Sequence, residues 1–428
     1  MTPNHPFVPA LTRLAPTRRR RRAAGPAAAG SGIRRRSALA GVLSTGLAVL
    51  LSSTAAATTG SGAAAVPPSP QPRAAQAEVP AGVTAGVAVF DRQTGTFTEQ
   101  VNSAGQFRSA SVVKILIALD LLWNRSPDAL APSDRSRVDA MLRGSDDSAA
   151  SHFWANNGQG AVIDRMVPRL GLTDTARPPA SHPGFWGYTA LSARDTVRIY
   201  RYLLDSAPAA VRDYVLNNLR RSTRCATDGY DQHFGIAGAF DKPWAVKQGW
   251  SGFDSGGCTA AASSRTTGTA GSDGGPGTRA AGSAAGIRAV DLARPALHTT
   301  GVVGAGDRSI VAVLTLHPGG TPYGKAYTDV GRLTRSLHVP GAARPAGTWI
   351  GTWGSGVRIR SQATTGSAAL TTLPAGAEVL VACQKRGQQV SVPPYVNDWW
   401  AYLPQYGGYM TNIYLSSPDN QVPGVPVC

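Results

Sequence analysis

The chain has 428 residues, 42% of them apolar, four cysteines and a formal net charge of +17, which makes it too long for one ordinary domain and too apolar to be disordered throughout. The position of the charge argues against a nucleic-acid partner. Arg13, Arg18 to Arg22 and Arg34 to Arg36 supply nine positive charges with no acid among the first 36 residues, and the remaining +8 is spread thinly, with no basic run interleaved with aromatics.

Behind that basic leader, Ala38 to Leu51 are apolar and Ala55, Ala56 and Ala57 are small, the order of a secretory signal. The apolar stretch falls short of the roughly 18 residues that mark a membrane span. Residues 1–57 therefore read as an export signal, and contact with a membrane is expected only through this segment if it stays uncleaved. Residues 58–80 are rich in Ala, Pro, Gly and Ser and read as a linker that cannot bury enough apolar surface to fold.

Val83 to Phe90 form an apolar, β-branched run, Asp91 to Gly95 a turn and Thr96 to Val101 a returning strand, so a hairpin opens the first domain. Ser109 to Trp123 is almost wholly apolar apart from Lys114, the mark of a helix buried on all sides. Amphipathic helical stretches follow at Asp134 to Arg143, Ala150 to Leu170 and Ala193 to Leu204, with strands around Trp244 to Gly249 and at Ser309 to Leu316. This order predicts an α+β domain over residues 81–338 whose sheet draws on both ends of its sequence. Residues 259–290 interrupt it as a low-complexity insertion of small residues. Beyond a second boundary at Pro340 to Ala346, short strand-like runs over residues 345–428 predict a small all-β barrel.

Cys225 and Cys258 fall in one domain, Cys383 and Cys428 in the other. Four cysteines allow three pairings, of which pairing within each domain is the simplest, and an exported chain favours disulfides over free thiols. The histidines at positions 152, 182, 233, 298, 317 and 338 are scattered, and no Cys/His cluster has zinc spacing, so neither a metal nor another cofactor is expected.

Chemistry concentrates in Ser111-Val112-Val113-Lys114. Side chains three apart on a helix share a face, so the amine can reach the hydroxyl. A desolvated lysine can take a serine proton where burial lowers its pKa. Only five of the 42 basic residues are lysine, and arginine cannot deprotonate, which gives Lys114 chemical weight at the head of an apolar helix. Ser145-Asp146-Asp147 and Lys247-Gln248-Gly249 follow in order, the second at the end of a predicted strand.

Together these segments resemble the Ser-x-x-Lys, Ser-Asp-Asn and Lys-Thr-Gly signature of the penicillin-recognising serine enzymes, class A β-lactamases and related peptidases. The resemblance covers roughly residues 80 to 338. It implies a β-lactamase/transpeptidase-like fold with Ser111 as acylated nucleophile and Lys114 as base. Ser145 would relay a proton to the leaving nitrogen, Lys247 would support it and attract a substrate carboxylate, and the backbone N–H groups of Ser111 and Trp250 would form the oxyanion hole. Asp147, Gln248 and Gly249 would border the substrate. Asp147 and Gln248 stand where the pattern has asparagine and threonine, and a carboxylate cannot donate the amide's hydrogen bond. The chain's three glutamates are Glu78, Glu99 and Glu378, so none lies between Ser145 and Lys247, where class A β-lactamases keep their water-activating residue. The nearest carboxylates along the chain are Asp174 and Asp195, and poor β-lactam turnover is expected.

Residues 345–428, with Val357 to Ser361, Leu373 to Gly376, Asp398-Trp399-Trp400 and Gly407 to Met410, resemble bacterial Src-homology-3-like domains, which often bind cell-wall peptides. The joint expectation is an exported, cell-wall-associated serine hydrolase acting on peptidoglycan or a small amide or ester. Its alternative is a wall-binding protein with a weakened catalytic centre.

Overall fold

A computed structural model describes residues 77–258 and 290–428; the expected leader, the linker up to residue 76 and the insertion from 259 to 289 lie outside the described residues.

The opening hairpin forms as expected, with β1 over Thr84–Asp91 and β2 over Thr96–Val101. With β3 (Trp244–Ser251), β4 (Ala296–Val303) and β5 (Ser309–Leu316) it builds one antiparallel sheet in the order β2-β1-β5-β4-β3. Alternate residues of each strand face opposite sides, and both sides are covered. Ala88, Phe90, Ile310, Ala312 and Leu314 pack into a large helical layer, whereas Val87, Val89, Val311 and Val313 pack with Leu333 and Leu337 on the other face. Two-sided burial explains why these strands are apolar throughout.

The first layer holds α1 (Lys114–Leu121), α2 (Pro132–Arg143), α3 (Asp147–Asn156), α4 (Ala161–Leu170), α5 (Ala193–Asp205) and α6 (Ala209–Arg220). The second holds the short α7 (Ile236–Ala239) and α8 (Tyr323–Ser336). The stretch from Ala150 to Leu170, expected as one helix, is two: Gly158 at φ +87° and Gln159 at φ +55° turn the chain between α3 and α4. No described helix is long and apolar enough to cross a membrane.

The C-terminal strands are β6 (Thr348–Gly351), β7 (Arg358–Arg360), β8 (Ala369–Thr372), β9 (Glu378–Val381), β10 (Cys383–Val392), β11 (Tyr395–Leu403) and β12 (Gly408–Thr411). They do not close into the expected barrel. One sheet runs β8-β7-β12-β11-β10 and a separate pair is β9-β6, so both sheets stay open around an aliphatic core that includes Ile359, Val381, Leu403 and Met410. Trp400 is core, its indole N–H bonded to Gln388 O, while Trp399, Tyr402 and Tyr409 are half-buried. The disulfides are Cys225–Cys258 and Cys383–Cys428, the within-domain pairing.

Residues 77–428 belong to one compact unit. Arg335 of α8 pairs with Glu378 and lies 3.7 Å over the Trp349 ring, and Arg224, which pairs with buried Asp231 at 3.2 Å, sits 4.0 Å over the Tyr406 ring. Gly324 of α8 abuts the Ala375 carbonyl so closely that any side chain there would collide with it.

Candidate active site

Ser111 lies in a 3-10 turn (Ala110–Val113) that feeds directly into α1. In such a turn side chains three apart eclipse, which brings Lys114 Nζ to 2.8 Å from Ser111 Oγ. Ala110, just before Ser111, holds a left-handed φ of +44°, a conformation non-glycine residues keep only where their surroundings over-determine it.

Ser145 also has a left-handed φ, +57°, in the bend between α2 and α3. Its carbonyl accepts from Lys114 Nζ at 2.6 Å, and its hydroxyl lies 3.3 Å from Lys114 Nζ and 2.8 Å from Lys247 Nζ. The capping role that Ser-Asp-Asp could also serve falls to Asp146, whose carboxylate accepts from Ala149 N at 2.7 Å. Asp147 opens α3 and turns back, placing Oδ1 2.5 Å from Lys114 Nζ. The edge strand β3 completes the group from the other side with Lys247.

Lys114 and Lys247 are 0% and 1% exposed. Burial pushes the Lys114 pKa below the ordinary lysine value, against the upward pull of Asp147. Burial and the charge of Lys114 push Lys247 well below it. Lys114 Nζ has four oxygen neighbours, one more than an ammonium has protons. As a neutral amine it can give its two protons to acceptor-only partners, Ser145 O and the Asp147 carboxylate, and turn its lone pair to the Ser111 hydroxyl.

Gly249 is essential to this geometry. A Cβ there would lie 3.1 Å from Ser109 O, 3.2 Å from Ala110 Cβ and 3.2 Å from Ser111 N; only glycine lets β3 approach the turn that carries Ser111 so closely. The Ser111 backbone N therefore sits against the strand, beside Trp250.

Gln248 corrects the expectation that it borders the substrate. It lies on the opposite face of β3 from Lys247, as strand alternation requires, and its buried amide donates to Gln232 O at 3.0 Å and Phe234 O at 2.7 Å. Asp174 and Asp195 are likewise spent on structure. Asp195 accepts from Thr173 N, Asp174 N and Thr175 Oγ1 and pairs with Arg198; Asp174 pairs with Arg194. Both fix the segment leading into α5, away from Ser111.

A cavity of about 250 Å³ opens above Ser111, bordered by Ala110, Asp147, Trp186, Gly187, Tyr188, Asp228, Tyr230, Trp250 and Ser251. Trp186, Tyr188, Asp228 and Tyr230 were not anticipated from the sequence. Trp186 and Tyr188 come from the loop between α4 and α5, and Lys114 Nζ lies 4.6 Å from the Trp186 ring centre. Asp228 and Tyr230 come from the loop after α6 that the Cys225–Cys258 disulfide closes. Asp228 Oδ2 accepts from Trp250 Nε1 at 2.9 Å. Solvent reaches part of Asp228, yet crowding by protein around its carboxyl pushes its pKa up, with Asp147 adding to the rise. Among the described residues no group of three or more His, Cys, Asp or Glu is arranged to hold a metal ion.

No protein-family model matches the chain. Two curated relatives, named "Putative lipoprotein LppW", from Mycobacterium tuberculosis and Mycobacterium bovis, are 41% identical over 175 residues, which is 40% of this chain and 54% of each relative. The chain thus spans about half the length of the curated relatives it matches. Solved structures to which it is similar include a PBP-A variant in acyl-enzyme complex with penicillin G, at TM-score 0.41 and 15% identity over 60% of this chain and 89% of that one. A class A β-lactamase from Mycobacterium abscessus is similar at TM-score 0.41 and 18% identity, over 60% of this chain and 92% of that one.

Proposed function

We propose that this protein is an exported serine hydrolase of the β-lactamase and penicillin-binding superfamily that forms an acyl-enzyme on Ser111, with cell-wall peptides or related amides and esters as substrates. The observation that carries this reading is the unbroken hydrogen-bonded series Ser111, Lys114, Ser145, Lys247 beneath an open cavity. Neutral Lys114 takes the Ser111 proton as Oγ attacks the substrate carbonyl. The developing oxyanion is held by the backbone N–H groups of Ser111 and Trp250. The bond to the leaving group then breaks, Ser145 gives that group a proton, and the protonated Lys114 restores the Ser145 hydroxyl. With no glutamate between Ser145 and Lys247, release of the acyl group from a β-lactam is slow.

The basic leader, the two disulfides and relatives that carry lipoprotein in their name support an envelope or extracellular location. The C-terminal unit, read as a bacterial Src-homology-3-like module in an open form, serves wall association. One observation favours a weakened enzyme that binds wall material without turnover: the Asp147 carboxylate 2.5 Å from Lys114 stabilises the protonated amine that cannot act as base.

Labelling with a fluorescent penicillin and with a fluorophosphonate separates the two. Wild-type labelling that Ser111→Ala abolishes supports the hydrolase; a folded wild type that neither probe labels supports the binding protein. Rapid nitrocefin turnover would contradict the slow release assigned to β-lactams.

A further inference from the structure

Among the described residues the charges around the cavity over Ser111 are one-sided: Asp147 and Asp228 border it, and no described lysine or arginine does. Both lysines of the site lie beneath its floor with their bonds committed inward, Lys247 to Ser145 Oγ and Gln248 O. The Arg108 guanidinium, 2% exposed, bonds the carbonyls of Ser251 and Arg294. Among the described residues, therefore, no cationic side chain at the cavity is free to receive the substrate carboxylate that the sequence resemblance implies.

What the cavity offers is the opposite. The Asp147 side chain borders the cavity, is 56% exposed and meets Lys114 through Oδ1 alone. Trp186, Tyr188, Tyr230 and Trp250 form the walls, Tyr230 stacked on Trp250 with ring centres 5.6 Å apart. Aromatic faces attract cations, and the Trp186 ring already lies 4.6 Å from Lys114 Nζ. A substrate carboxylate would shed water only to meet two carboxylates, whereas a substrate ammonium would find both carboxylates and ring faces.

We propose that the pocket selects acyl donors bearing a free ammonium near the scissile carbonyl, amine-carrying amides or esters, with Asp228 and Asp147 as the specificity-determining pair. This rests on Ser111 being the acylated residue. It names the substrate class of that same site.

The test uses the full chain and three thioesters that differ only in an ammonium, a methyl or a carboxylate on the acyl arm. Selectivity is the ratio of kcat/KM values, and fluorophosphonate labelling of Ser111 is recorded separately. The ammonium arm is expected to exceed the carboxylate arm by tenfold or more, with methyl between and the ratio shrinking as salt is added. Asp228→Asn should lower the ammonium-to-methyl ratio at least threefold, and Asp228→Glu should keep most of it, which a purely structural role would not do. Should the carboxylate arm react fastest, or the ratio ignore Asp228→Asn in a folded variant, the inference is overturned while fluorophosphonate labelling keeps the Ser111 reading intact. Failure of both labelling and every thioester would instead sink that reading, and this one with it.

Discussion

Replacing Gly249 with alanine inserts one methyl carbon between β3 and the turn that carries Ser111. The three nearest atoms would lie at 3.1, 3.2 and 3.2 Å, where ordinary contact begins at 3.4 Å, and two of them are backbone atoms that cannot rotate away. The strand must retreat by a few tenths of an ångström, and it takes Lys247 and the Trp250 backbone with it. Since a misplacement of 1 Å costs about 10²-fold in rate, this one should cost about three- to tenfold. Overpacking of this size should cost about 1 kcal/mol of stability, a fall of about 2–4 °C in Tm. The assay is the second-order rate of fluorophosphonate labelling beside a thermal melt, with Gly319→Ala, which meets nothing within 4 Å, as control. A Gly249→Ala protein that labels at the wild-type rate with an unchanged melt would refute the close approach and the oxyanion geometry built on it.

Lys114→Ala should lose labelling by about 10²-fold or more, as expected on removing a general base, whereas Lys325→Ala, on an exposed lysine paired with Asp329, should label normally; equal rates would remove the role of Lys114. Because the folded pKa of Lys247 lies below 10.5, the unfolded chain holds the extra proton between the two values and stability rises with pH across that window. Lys247→Met should flatten the rise in urea midpoints from neutral pH toward pH 10, and an unchanged slope would contradict it. His298 and His317 are fully buried with pKa values pushed down by burial to about 4 from 6.5. The unfolded chain therefore binds their protons first and stability should drop as pH falls through that range; a thermal melt that stays flat from pH 6.5 to 4 would count against their burial. Cys225→Ser with Cys258→Ser reopens a loop whose ends are 33 residues apart, an unfolded-state effect of about 4 kcal/mol. It should also slow labelling, since Asp228, Tyr230 and β3 lie within that loop, and a variant with wild-type rate and melt would show the bridge to be incidental.

The parts of the fold legible in advance were those governed by local period. The β1–β2 hairpin, the helix after Ser111 and the strands at Lys247 and Ser309 each carry a pattern that burial alone dictates. The reading failed where tertiary contacts outweigh local pattern. Strand β4 reads as polar because His298, Thr299, Thr300 and Gly301 fill its middle, yet every one of its residues is buried. Each polar side chain finds a partner from a distant segment, His298 with Arg108 O at 2.7 Å, Thr299 with Ile236 N at 3.0 Å and Thr300 with Lys247 O at 2.7 Å. The Ser111–Lys114 pair could be found because the two residues are one turn apart. The walls of the pocket could not, because Trp186 and Asp228 reach it on loops placed by the Asp195 carboxylate and by a disulfide. Short strands with turn residues between them look alike whether they close into a barrel or stay as two open sheets.

The junction around Glu378, Asp231 and Gly324 sets how the two halves work together. With Arg335 paired to Glu378, guanidiniums of Arg224 and Arg335 over the Tyr406 and Trp349 rings, and backbone pressed on backbone at Gly324, the C-terminal half cannot swing as on a tether without tearing its partner's side chains out of place. If, as proposed, the C-terminal half seats a polymer and Ser111 is acylated, that polymer would meet Ser111 at one fixed reach and angle, and the spacing between the two would act as a ruler.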